Sequence, residues 1–165
     1  MIIKKIKKNK GFVILYAVMI SSMLLAIALG VTSISLKEIK FGTSAIDTNN
    51  AFFAADIGAE CALYYNKSTS ANRFIFPEPD PATSITCATT TVRPTFSGDA
   101  NLWSYDFTIP NLGSSRQSCV KVVVLKNNRS DAVLTTITSK GYNIGDASCN
   151  STNPNRVERQ LELNF

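Results

Sequence analysis

The chain has no histidine. That excludes Ser-His-Asp and Cys-His nucleophilic catalysis, and any zinc site that needs an imidazole ligand. Its four cysteines (Cys61, Cys87, Cys119 and Cys149) contain no CxxC pair, so neither a redox dithiol nor a zinc ribbon is indicated. No glycine-rich phosphate loop occurs. No stripe of Lys and Arg appears after the first ten residues, as nucleic-acid binding would require. From Phe12 to Leu36 there is no charged residue at all. These gaps point away from an enzyme, away from a metal or other cofactor, and away from nucleic acid as a direct partner.

What is present lies first at the N-terminus. Lys4, Lys5, Lys7, Lys8 and Lys10 precede Gly11-Phe12, and Lys37, Glu38 and Lys40 close the apolar run. The formal charge is +5, but five of the seventeen cations stand before Gly11. Without them, twelve cations face twelve acids. Crossing about 30 Å of hydrocarbon takes about 20 helical residues. Phe12 to Leu36 is long enough with some tilt, and a helix can satisfy its few hydroxyls through backbone carbonyls. The lysines should stay on the cytoplasmic side, with everything after Lys37 outside. Three readings fit such a segment. A cleaved secretory signal has only Ala26-Ile27-Ala28 as a site, and apolar character continues through Val31, Ile34 and Leu36. A plain signal anchor is the second reading, and a processed precursor is the third.

The lysine-rich leader, Gly11-Phe12 and the apolar helix resemble the N-terminus of type IV pilins and pseudopilins. Asn50-Ala51-Phe52-Phe53-Ala54-Ala55-Asp56-Ile57-Gly58-Ala59-Glu60 is similar to the Ala-aromatic-x-Ala-acid-x-Gly signature of minor pilins. The resemblance covers roughly the first 65 residues. It implies a leader over residues 1–11, cut between Gly11 and Phe12 by a prepilin peptidase that also methylates the new terminus. It implies a single-pass precursor in the cytoplasmic membrane, then an extracellular filament built with other pilin subunits by an assembly platform. One position departs from the family. Its usual glutamate at the fifth mature residue is here Tyr16. A phenol brings no negative charge to a neighbour's terminal ammonium, and an unpaired charge in an apolar core costs several kcal/mol. Tyr16 therefore favours a low-copy subunit over a repeatedly stacked one; it also fits as a simple interfacial aromatic. A membrane-anchored binding module that never polymerises is the alternative function.

The expected fold is α+β, pilin-like: one long helix on an antiparallel sheet. The transmembrane half covers 12–36 and an amphipathic half covers 37–65. Ile39, Ile46, Phe53, Ile57, Cys61 and Tyr64 form an apolar stripe expected to cover the head's core. Ala54, Ala55, Gly58, Ala59 and Ala62 are small enough for a sheet to approach closely. Asp56 and Glu60 stand four apart like paired catalytic carboxylates, but an exposed helix face explains them more simply. The head spans 66–165. Its connection, 66–95, carries Pro77, Pro79 and Pro81 and is expected to lack regular structure. A meander over 96–165 follows, with about four strands. The first is Trp103–Ile109, ended by Pro110 and Gly113; the second is Cys119–Leu125. The third is 132–140, after a turn at 127–131, and the fourth is 156–165. Asn66-Lys67-Ser68, Asn128-Arg129-Ser130 and Asn150-Ser151-Thr152 match the glycosylation pattern no better than chance. Four cysteines outside the cytoplasm are expected to form two disulfides, against four buried thiols as the alternative. Three connectivities are possible, and chain proximity favours Cys61–Cys87 with Cys119–Cys149.

Overall fold

The structure is a computed structural model that describes residues 10–67, 84–128 and 133–165. The leader through residue 9, the proline-rich stretch 68–83 and the turn at 129–132 lie outside the described residues. Helix α1 is Lys10–Lys67. Seven strands follow: β1 Ile85–Cys87, β2 Thr90–Val92, β3 Thr95–Gly98, β4 Leu102–Leu112, β5 Ser118–Asn127, β6 Leu134–Tyr142 and β7 Glu158–Asn164. The α+β architecture expected from the sequence is present. The chain divides into two compact units, Met1–Thr43 and Ser44–Phe165.

In the second unit, β3 to β7 form an antiparallel sheet in chain order, so each strand pairs with the next. β4 alternates regularly: Trp103, Tyr105, Phe107 and Ile109 are buried, with half-buried residues between them. On β5, Val120, Val122 and Val124 continue the same inner face. Ile137 adds to it from β6. Edge strand β7 contributes half-buried Leu161 and Leu163.

Three expectations need correction. The 66–95 connection is not free of regular structure. It contains the two-residue hairpin β1–β2 and the start of β3, which raises the sheet from four strands to five. At the hairpin turn, Ala88 and Thr89 have φ of 47° and 70°, the mirror-image geometry that suits strand twist. Pro110 does not end β4. The strand runs on to Leu112 through a register shift between Ile109 and Leu112. A bulge takes up a residue that cannot donate to the ladder, and Asn111 there has φ 59°.

The third correction concerns the stripe. Of the stripe, Ile57 and Cys61 are half-buried against the core as expected, but Ile46, Phe53 and Tyr64 are exposed, and so is Ile39 in the first unit. The buried face of the helix is Ala51, Ala54, Ala55, Gly58, Ala59 and Ala62. The sheet already supplies the bulk of the core through aromatic and β-branched side chains, so the helix must supply closeness instead. A Cβ on Gly58 would lie 2.5 Å from Ser139 Oγ and 2.7 Å from methyls of Val120 and Val122. A Cβ on Gly141 would lie 2.1 Å from the Ala51 carbonyl oxygen. Across this crossing, the Ser139 hydroxyl donates to the Ala55 carbonyl at 2.6 Å.

Candidate functional site

In the first unit, every residue from Phe12 to Leu36 is exposed. This is the one helix among the described residues long and apolar enough to cross a membrane. Gly11 and Phe12 both fall within α1. Tyr16 is exposed, one turn beyond Phe12. Ser21 and Ser22 donate to the carbonyls of Val18 and Met19 at 3.0 and 2.9 Å. Thr32 and Ser33 donate to those of Ala28 and Gly30, each at 2.8 Å. Bonds to the third or fourth preceding carbonyl let hydroxyl groups sit in an apolar segment without an outside partner.

In the second unit, Ile46, Phe52, Phe53 and Tyr64 stand exposed around the buried alanine face. Phe52 and Phe53 pack edge to face with ring centres 6.0 Å apart. Asp56 is half-buried and Glu60 exposed. An open hollow of about 550 Å³ lies beside Glu60, Leu63, Tyr64 and Lys67. Among the described residues, no group of three or more Cys, Asp or Glu side chains is placed to hold a metal ion.

Two disulfides tie the head. Cys61–Cys87 joins α1 to β1, and Cys119–Cys149 joins β5 to the loop before β7. These are the pairs that chain proximity favours. Cys119, Cys149 and Tyr142 form a small separate core. The Arg156 guanidinium stacks 3.8 Å from the centre of the Tyr142 ring and donates to the Cys149 carbonyl at 2.6 Å. Burial, followed by the Glu158 contact, raises the Tyr142 phenol above its ordinary value. In the same loop, Asp146 Oδ1 accepts from the backbone N–H groups of Ser148 and Asn150, both at 2.9 Å. The Asn150 bond is the largest cause holding this carboxyl below its ordinary value.

Sequence reasoning missed one polar cluster. Lys126 lies on the inner face of β5, continuing Val120, Val122 and Val124, and is buried. Its Nζ donates to Asn66 Oδ1 at the end of α1, and to Thr135 Oγ1 on β6 at 3.1 Å. Burial pushes the amine down to about 8. Trp103 is the cross-strand partner of Lys126, and its buried Nε1–H has no hydrogen-bond partner among the described residues. The available signal was a lysine at an inward register position of a clear strand. In the sequence Asn66 stands out only through its glycosylation pattern, and its burial rules out that use in the folded head. Compared with protein-family models, with curated proteins and with solved structures, the chain matches none.

Proposed function

We propose that the protein is a minor pilin or pseudopilin: a membrane-anchored precursor, processed at its leader and assembled into a type IV pilus-like or type II secretion-like filament. The observation that carries this reading is the division of labour along α1. Its first part is uncharged and exposed from Phe12 to Leu36, and its later part meets the sheet through a fully buried face of alanine and glycine, with Ile57, Cys61, Leu63 and Tyr65 half-buried beside it. An ordinary signal anchor has no need of a helix that runs unbroken from Lys10 to Lys67. On this reading the head faces away from the cytoplasm, and two disulfides suit an oxidising compartment. The mechanism is physical rather than catalytic. The apolar helix leaves lipid and packs with those of other subunits, while the heads form the outer surface. Tyr16 in place of an acid supports a low-copy position.

The mass of the mature N-terminal peptide tests the proposal. The expected terminus is an N-methylated Phe12, and replacing Gly11 with a bulky residue should leave the precursor uncut. An intact Met1 in the wild type would instead fit an anchored binding module that does not polymerise. A terminus at Leu29 would identify a secretory signal. Counting this subunit in purified filaments tests the low-copy position; finding it as the main component overturns that part.

A further inference from the structure

The cluster at Lys126 has a chemistry that a plain hydrogen-bonded clamp does not need. We propose that Asn66 and Lys126 become joined by an intramolecular isopeptide bond, tying the C-terminal turn of α1 covalently to the inner face of β5. Both residues are buried, at 8% and 5% exposure, and both belong to the head unit. The lysine nitrogen donates to Oδ1 of Asn66, which puts the nucleophile one bond away from the carbon it would attack. Holding two reacting groups in contact removes most of the entropic cost of a bimolecular step. Water, the competing nucleophile, is kept from groups this deeply covered.

The step balances without any other reactant. The uncharged Lys126 amine attacks Cγ of Asn66, a bond forms between Nζ and Cγ, and the bond from Cγ to Nδ2 breaks. One amine proton moves to the departing Nδ2, which leaves as ammonia. Thr135 Oγ1 already accepts a hydrogen bond from Nζ at 3.1 Å and is the first acceptor on the proton's way. An ordinary lysine is almost wholly protonated at neutral pH and cannot attack. Burial pushes this one down to about 8, which leaves about a tenth of it uncharged at pH 7. An ammonium enclosed here carries a standing desolvation cost, and conversion to an amide removes it. The link also falls just past the last apolar contact of α1, since Tyr65 is the final helix residue packed against the main core cluster and neither disulfide reaches the final turn.

Mass spectrometry of the full chain, extracted in detergent and fully reduced, tests the proposal independently of leader processing. The expected result is a mass about 17 Da below that of the reduced chain, the loss of one ammonia. Trypsin should release a branched peptide joining residues 41–67 to residues 122–129, because a linked Lys126 resists cleavage. Lys126→Arg keeps the positive charge and should restore both the full mass and two separate peptides. Full mass in wild-type protein whose two disulfides have formed overturns the proposal. So does a loss of the same size without the branched peptide, which would mark a cyclised asparagine instead.

Discussion

Gly141→Ala puts the contact between helix and sheet to its most direct test. The added Cβ would lie 2.1 Å from the Ala51 carbonyl oxygen, 2.2 Å from the Ala55 nitrogen and 2.9 Å from the Ala55 Cα. A comfortable separation of carbon from a carbonyl oxygen is about 3.3 Å, so α1 or β6 must retreat by about 1 Å. All three neighbours are backbone atoms, and no side chain can swing away to make room. Overpacking of a tight core ordinarily costs about 1–3 kcal/mol, and this position belongs at or above the top of that range. Against a total stability of about 5–15 kcal/mol, a loss near 3 is a large share. For a head of about 120 residues it lowers the melting temperature by about 10 °C. The fluorescence of buried Trp103, the chain's single tryptophan, reports unfolding of full-length protein in detergent. Two companion variants set the scale. Gly58→Ala meets side-chain atoms of Ser139, Val120 and Val122 and should cost less. Gly42→Ala meets nothing within 4 Å and should be neutral, or stabilising by about 0.5–1 kcal/mol. If Gly141→Ala melts with the wild type, the reasoning about this crossing is wrong.

Replacing Cys61 and Cys87 together by alanine, or Cys119 and Cys149 together, should each cost about 3.5 kcal/mol; the loops span separations of 26 and 30 residues. Thermal unfolding of the two double variants checks this, and no change in either would show that its cross-link contributes nothing. Thr89→Gly should stabilise the β1–β2 hairpin by up to about 1 kcal/mol, since threonine at φ 70° is strained and glycine is not; the same melts read this. Asp146 is held below its ordinary value, so the unfolded chain takes up a proton first as pH falls. The stability this group contributes is present above the unfolded value near 4 and is lost as pH drops through the lower folded value. Asp146→Asn keeps the acceptor oxygen but should flatten that acid dependence in stability measured from pH 5 to 2, and an unchanged slope would assign the dependence elsewhere.

Strands β4 and β5 were legible because each carries its own signature. Trp103 to Ile109 alternates, and Val120 to Val124 is rich in branched residues. The apolar run was equally plain. Which face of α1 is buried was not plain, because the large residues Phe53 and Tyr64 drew attention and the alanines did not. Burial depends on the opposing surface, and that surface was full once Tyr105, Phe107 and Ile109 faced inward. Local rules also misled at Pro110, where a bulge absorbs the missing donor, and at Ile85–Val92, too short for any periodicity to register. The contact of Asn66 with Lys126 joins residues sixty positions apart, and no local pattern encodes it.

The hydroxyls of the apolar segment carry a further consequence. Ser21, Ser22, Thr32 and Ser33 close their hydrogen bonds within the same helical turn. Polar side chains in lipid often hold neighbouring helices together by bonding across the gap. These four have their donors engaged at home, so they name no neighbour and fix no rotation about the helix axis. These four bonds therefore stay with the segment wherever it goes. Exchanging one apolar environment for another would break none of these four bonds.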